Sequence, residues 1–277
     1  MKKYASVLTI AGSDCSGGAG IQADIKTISA LGGYAASAIT AITVQNTCGV
    51  EAVYPIPPTI VEGQIKIVLS DIRPTSVKIG MVNDADIIRS IAKCLNEYKP
   101  QHVIVDPVMV SSSGKRLMDN SAISVLISQL IPETTLITPN LSEAEVLTQH
   151  AVTNLEEMKL AAKKILQYGC KAVLIKGGHL QGGKMTDVLQ LANREEPFLF
   201  SAPQIESNNT HGTGCTLSSA IATYLALGDP INIAVEKAKT YLYNGIKEGK
   251  YIHIGEGHGP LNHFYSPVPM HIFDKKE

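Results

Sequence analysis

The sequence predicts a doubly wound α/β fold with a mostly parallel central sheet. Three features carry that expectation: short β-branched runs alternate with longer stretches of helical period, most of those runs are apolar from end to end, and polar residues interrupt the chain where the runs stop. Strands are expected at residues 7–11, 38–44, 77–79, 103–105, 136–138 and 172–175. Helices are expected between and after them, at residues 21–31, 60–69, 85–98, 122–130, 143–148, 155–168 and 217–227. Residues 34–53 could instead add a strand pair at one edge. No low-complexity linker, repeat or composition break divides the chain, so one domain over residues 1–277 is the economical reading.

Composition excludes several partner classes. The chain is 44% hydrophobic with a formal charge of −1, from 24 basic and 25 acidic side chains. Without a broad basic surface, nucleic acid and anionic membrane are poor partners. Five cysteines, at positions 15, 48, 94, 170 and 215, form no C-x-x-C pair. Reduced thiols in a cytoplasm fit that pattern better than a disulfide framework or a zinc site. The two lysines before the first strand leave no room for a signal peptide, and no run approaches the ~20 apolar residues of a membrane span.

In such sheets ligands bind outside the carboxyl ends of the strands, and the polar interruptions fall there. A glycine-rich loop, G-S-D-C-S-G-G-A-G (residues 12–20), follows the first strand. Gln45 and Asn46 end the second, Gly80 and Met81 the third, Asp106 and Pro107 the fourth, Asn140 the fifth, and Lys176 with two glycines the sixth. Singly each has an ordinary explanation: a turn at Asp106, a capping box for Asn140 with Glu143, a solvated loop lysine at Lys176. Their shared rim is what points to a site.

The junction N-T-H-G-T-G-C-T (residues 209–216) runs into a helical small-residue stretch. Gly212 and Gly214 permit a tight turn whose successive N–H groups, with that of Thr213, can hold an anion such as phosphate at the helix start. A thiol at a helix N-terminus has a lowered pKa, so Cys215 suits a thiolate that accepts a proton or attacks an electrophile. The alternative is a glycine turn capping a core helix, with Cys215 as a small buried hydrophobe.

Three enzyme templates meet these loops poorly. Residues 18–23, G-A-G-I-Q-A, fit the dinucleotide fingerprint, but Gln45 and Asn46 stand where the ribose-binding acid belongs. A Walker A loop occurs nowhere. A cysteine hydrolase needs a histidine and an orienting partner around Cys215; His211 and Asn209 are present, but residues so close on a tight turn seldom converge.

A phosphotransferase without a Walker loop remains, and here the chain resembles the ribokinase-like superfamily, within it the hydroxymethylpyrimidine/phosphomethylpyrimidine kinases of thiamin biosynthesis. The resemblance covers nearly the whole chain: T-I-A-G-S-D-C-S-G-G-A-G-I-Q-A-D (9–24), A-I-T-V-Q-N-T (41–47), K-I-G-M (78–81), V-D-P-V-M-V (105–110), T-P-N-L-S-E-A-E (138–145), L-I-K-G-G-H (174–179), T-D-V-L (186–189) and the glycine turn. Sugar-kinase relatives carry an aspartate where this chain has Cys215, as the pyrimidine kinases and some pyridoxal kinases do.

The resemblance implies a ribokinase-like three-layer α/β/α sandwich with a mostly parallel central sheet, ATP and Mg²⁺ as cofactors, and a homodimer. Gly212, Thr213 and Gly214 would hold the transferring phosphate and Cys215 would take the hydroxyl proton. Asp106 and Glu143 would neighbour Mg²⁺, directly or through water. Asn140 and Lys176 would face the ATP phosphates, with Asp187 in support and adenine against the loops near Thr186 and the helix after Cys215. On the acceptor side the match points to Gly12, Asp24, Gln45, Met81 and Val108, with Gln45 the foremost recognition residue. Residues 110–118 would form a flap that excludes water. The rival acceptor is pyridoxal, and a non-catalytic metabolite-binding protein would not need Asp106, Glu143, Lys176 and Cys215 together.

Overall fold

A computed structural model describes residues 2–109, 118–178 and 184–274. Its central sheet has nine strands: β2 (Ser6–Asp14), β3 (Tyr34–Asn46), β4 (Gly49–Pro55), β5 (Ser76–Ile79), β6 (His102–Val105), β7 (Leu136–Ile137), β8 (Ala172–Ile175), β9 (Lys184–Leu191) and β10 (Phe198–Pro203). They lie in the order β10-β9-β8-β7-β6-β5-β2-β3-β4. The block from β8 to β3 is parallel, whereas β4 at one edge and β9 and β10 at the other are antiparallel. A separate ribbon pairs β1 (Lys2–Tyr4) with β11 (Ile272–Asp274).

The uniform apolarity of the strands follows from burial on both faces. On β6, Val103 and Val105 enter one core and Ile104 the other; on β8, Val173 and Ile175 oppose Ala172 and Leu174 in the same way. One core is covered by α2 (Pro58–Asp71), α3 (Ala85–Tyr98), α4 (Asn120–Val125), α5 (Leu141–Thr148) and α6 (Leu155–Leu166). The other is covered by α1 (Gly20–Ala30), α7 (Thr213–Ala226) and α8 (Ile231–Gly249). The result is the three-layer α/β/α sandwich.

The chain fills the strand beside β2 on one side, then crosses to β5 on the other, so the connections part at the end of β2. That switch point lies at the loop of residues 15–19, beside the ends of β3 and β5, the place where such sheets bind ligands.

Several expected boundaries shift. The edge pair of residues 34–53 forms as the antiparallel β3 and β4. The helix expected at 122–130 is a short α4 that widens into a π-turn over Leu126–Leu130. The helix expected from residue 217 begins at Thr213, which puts Cys215 inside its first turn. Strands β9 and β10 and helix α8 were not anticipated. The expected flap lies, apart from Met118, outside the described residues, as does His179.

Candidate active site

The anion turn depends on a glycine at its pivot. Gly212 caps α7 with φ 82°, and a Cβ there would lie 1.9 Å from the Gly18 carbonyl oxygen. The glycine loop after β2 and the turn before α7 therefore press backbone against backbone. Thr213, Gly214 and Cys215 form the first turn of α7; the Thr213 N–H turns back to the Thr210 carbonyl at 3.3 Å, while those of Gly214 and Cys215 fall among the helix-start donors that have no intrahelical acceptor. A Cβ on Gly214 would sit 3.1 Å from Asp106 Oδ2 and 3.6 Å from Lys176 Nζ, so the turn lies directly over a charged cluster.

That cluster is built by three neighbouring strand ends. Lys176 Nζ bonds Asp106 Oδ1 at 2.8 Å and stands 3.9 Å from Glu143 Oε2. Asn140 and Glu143 do form a capping box: the Asn140 N–H donates to Glu143 Oε2 and the Glu143 N–H to Asn140 Oδ1, each at 2.8 Å. A β-bridge from Asn140 to Lys176 carries the box to the lysine. The capping-box expectation for this pair is met, and the same box stands beside Lys176. Burial pushes the Glu143 carboxyl up and Asp106 adds to that, while Lys176 opposes it. Burial works against the Lys176 ammonium, but Asp106 and Glu143 outweigh it and hold the pKa above the usual lysine value.

Cys215 departs from expectation. Its side chain keeps a partial opening to solvent, yet burial pushes the thiol up to about 11. The Lys78 ammonium and the Gly20 N–H, which reaches the sulfur from the start of α1, pull the other way; Asp24 and Asp106 push further up. The helix ends do not outweigh that desolvation, so the resting side chain is a thiol rather than a thiolate.

Asp24 also needs correction. It is fully enclosed, and its oxygens accept from Lys78 Nζ at 2.9 and 2.8 Å, Ser219 Oγ at 2.7 Å and Thr9 Oγ1 at 2.5 Å. With both oxygens occupied by protein donors, Asp24 is a strut beneath the site and direct acceptor contact is closed to it. Asp187 is similarly engaged: it accepts from the Gly177 N–H at 2.9 Å and from Lys239 Nζ, which α8 supplies. Thr186 pairs with Ser201 across β9 and β10 and exchanges a hydroxyl bond with it at 2.8 Å.

Of the other residues expected on the acceptor side, Gly12 and Met81 touch, while Gln45 stands at the end of β3 and Val108 just after β6. Gly12 is buried, and the methyl of Met81 packs on it so closely that a Cβ would meet that carbon at 2.5 Å. Val108, half-buried, turns back on Asp106 through its N–H at 2.8 Å. Gln45 Nε2 lies 3.1 Å from His211 Nε2, and the same ring nitrogen lies 2.8 Å from Asp14 Oδ2. Asn209 donates instead to the carbonyls of Gly249 and Ile252. Neither set of bonds serves Cys215, as the rejected hydrolase template requires.

Sequence reasoning assigned no role to Asp14, Lys78 and Lys239, and weighed His211 only as a partner for Cys215. Lys239 was missed with its helix, although Ile231, Ala234, Val235, Ala238, Tyr241 and Ile246 repeat at helical spacing. Lys78 stood as the one charge in an apolar strand, which was itself a signal. For Asp14 and His211 no local pattern announces a partner almost 200 residues away.

A glycine turn over a lysine–carboxylate cluster at the strand ends of a ribokinase-like sheet, in a chain without a Walker loop, is the arrangement of a phosphotransferase. The family model for phosphomethylpyrimidine kinase matches residues 14–262, and the chain belongs to that family. It is 45% identical over 263 residues to a hydroxymethylpyrimidine/phosphomethylpyrimidine kinase of Salmonella typhimurium, covering 94% of this chain and 98% of the relative. It is 48% identical over 258 residues to a thiamine biosynthesis bifunctional protein of Geobacter sulfurreducens, covering 93% of this chain; there it spans about half of the relative, 52%. Among solved structures, a phosphomethylpyrimidine kinase from Clostridium difficile superposes with a TM-score of 0.77 at 48% identity, covering 87% of this chain and 99% of that one. The pyridoxal kinase of Staphylococcus aureus, solved with pyridoxal, gives 0.87 at 33% identity and covers 98% of each chain.

Proposed function

We propose that the chain transfers the γ-phosphoryl group of ATP to the hydroxymethyl oxygen of 4-amino-5-hydroxymethyl-2-methylpyrimidine, and then phosphorylates that monophosphate to the diphosphate, in thiamin biosynthesis. The observation that carries this reading is the position of Gly214 directly over Asp106 and Lys176, which makes the anion turn and the charged cluster one site. Phosphoryl transfer asks for placement and charge neutralisation more than covalent chemistry, and those are what the cluster offers. The acceptor oxygen forms a bond to the γ-phosphorus as the bridging bond to ADP breaks. Cys215 is the residue at hand for the hydroxyl proton, which it takes in its minority thiolate form. A loose transition state tolerates such a weak supply of base.

Asp106 and Glu143 are the side chains that would neighbour Mg²⁺, and their two carboxylates beside phosphate fit an ion that keeps few protein ligands and several waters. When bound, the ion neutralises charge on the transferring phosphate. Two carboxylates leave further positions on such an ion, which waters and the phosphates of a bound ATP would fill. Lys176 and Asn140 would face those phosphates, Asp187 and Lys239 would brace them, and Thr186 would border the adenine. Gly12, Met81 and Val108 would line the acceptor beside Gln45.

A homodimer is supported by apolar side chains on an outward face of β3 and β4: Ile42 and Tyr54 stand opposite one another, 41% and 62% exposed, with Val44 beside them. Five free thiols suit a reducing, cytoplasmic setting. ADP release measured with hydroxymethylpyrimidine, its monophosphate and pyridoxal tests the assignment. The pyrimidines are expected to show the higher kcat/KM; a clear preference for pyridoxal, or no acceptor at all, would overturn it.

A further inference from the structure

The carboxamide of Gln45 is held by groups that dictate which end faces which way. Its amide nitrogen lies 3.1 Å from His211 Nε2, and its oxygen 3.2 Å from Thr43 Oγ1. Both contacts conflict with their surroundings. Asp14 Oδ2 lies 2.8 Å from His211 Nε2, and it also accepts the Ala19 N–H at 2.8 Å. The other Asp14 oxygen accepts the N–H and hydroxyl of Ser16. Burial alone would raise the Asp14 carboxyl, but the bonds from His211, Ser16 and Ala19 hold it well below the usual carboxylate range. An ionised carboxylate only accepts, so His211 Nε2 must carry a proton and cannot receive another from Gln45. Thr43 has one hydroxyl proton, and it goes to the Ser13 carbonyl at 2.9 Å. It therefore has none left for the Gln45 oxygen. The two ends of a carboxamide are nearly isosteric, and their partners decide which is which. Turned by 180°, the amide satisfies both sides: its oxygen shares the His211 proton and its nitrogen donates to Thr43 Oγ1.

We infer that His211, anchored by Asp14 and assisted by Thr43, is a positioning residue that fixes the Gln45 carboxamide with one N–H and one oxygen lone pair free for the acceptor. This rests on the assignment above and adds how the acceptor is chosen. An aminopyrimidine presents a ring nitrogen that accepts beside an amino group that donates, which complements that pair. The phenolate and aldehyde oxygens of pyridoxal lie side by side and both accept, so one of them would meet the amide oxygen. His211 directly precedes Gly212, so the same residue ties acceptor orientation to the anion turn.

The test combines kinetics with a reading that needs no turnover. His211→Phe is expected to raise the KM for the aminopyrimidine by about tenfold, the effect of one lost charge-linked hydrogen bond, with the KM for ATP little changed. His211→Gln, which returns an N–H near the Nε2 position, is expected to recover part of that loss and of the preference over pyridoxal. In the Gln45→Ala background His211→Phe should add nothing; additive losses, or an equal rise in the KM for ATP, would overturn the inference. In the free protein the ¹⁵N signal of His211 Nε2 should be that of a protonated nitrogen, and an unprotonated Nε2 would overturn the orientation. If the wild-type protein phosphorylates no pyrimidine, the activity assignment fails, and the nitrogen signal still decides the orientation.

Discussion

Two lysines reach carboxylates beneath the same rim, and their surroundings differ. Lys78 and Asp24 are both fully enclosed, 2.8 Å apart, with Thr9 and Ser219 taking up the remaining capacity of the carboxylate. Lys176 bonds Asp106 at the same 2.8 Å, but its side chain is 17% exposed and a second carboxylate, Glu143, waits at 3.9 Å. The chemistry of the pairs is alike, yet only one has donors that a phosphate can recruit. A sealed pair holds four elements together: β2 through Thr9, β5 through Lys78, α1 through Asp24 and α7 through Ser219. The open pair leaves charge poised for a ligand. Satisfaction and access, more than burial or proximity, separate scaffold from site.

The comparison breaks most visibly at Lys78. Lys78→Met leaves a buried carboxylate unpaired and should cost roughly 3–5 kcal/mol in denaturant unfolding. Adding Asp24→Leu should recover much of that; a stable single variant would mean the pair is not sealed. Lys176→Met should instead lower kcat by roughly 10²–10³ while costing less stability than Lys78→Met, checked by steady-state kinetics beside the same unfolding curves. Equal losses in both properties for both lysines would erase the distinction.

Cys215→Ala is expected to lower kcat by about 10², the lower range for a proton acceptor, with ATP affinity retained. Because burial raises the thiol to about 11, the thiolate share grows as pH rises toward that value. The kcat/KM for the acceptor should therefore climb between about pH 7 and 9, and the Cys215→Ala profile should be flat there. A flat wild-type profile would remove the sulfur as base. Smallest of all, Ser219→Ala removes one of several donors to Asp24 and should cost about 1.5 kcal/mol with kcat held.

Much of this was legible in the residues. Runs such as V-I-V and A-V-L-I announced strands covered on both faces, and the polar residues that end them marked the rim. The Asn140–Glu143 spacing gave the capping box correctly because a cap is a local event. What stayed hidden was long-range: the His211 contact to Asp14 joins positions 197 residues apart, and no periodicity encodes it. Asp24 was legible as part of a motif but not as enclosed, since its isolation comes from Lys78 and Ser219 closing over it. The Cys215 expectation erred in sign because a helix end is visible in sequence and the depth of burial is not. Strand β9 was obscured because Asp187 and Gln190, three residues apart and both buried, interrupt its apolar run without the two-residue period of a half-exposed strand.

The central claim is that the turn over Asp106 and Lys176 passes phosphate from ATP to an aminopyrimidine twice in succession. Phosphorus NMR of the protein with ATP, Mg²⁺ and 4-amino-5-hydroxymethyl-2-methylpyrimidine tests it directly. The predicted record is a phosphomonoester signal that rises and then gives way to the paired signals of a diphosphate ester, with ADP accumulating in step. ADP with inorganic phosphate and no pyrimidine ester, or esterification of pyridoxal in preference when both acceptors are present, would contradict it.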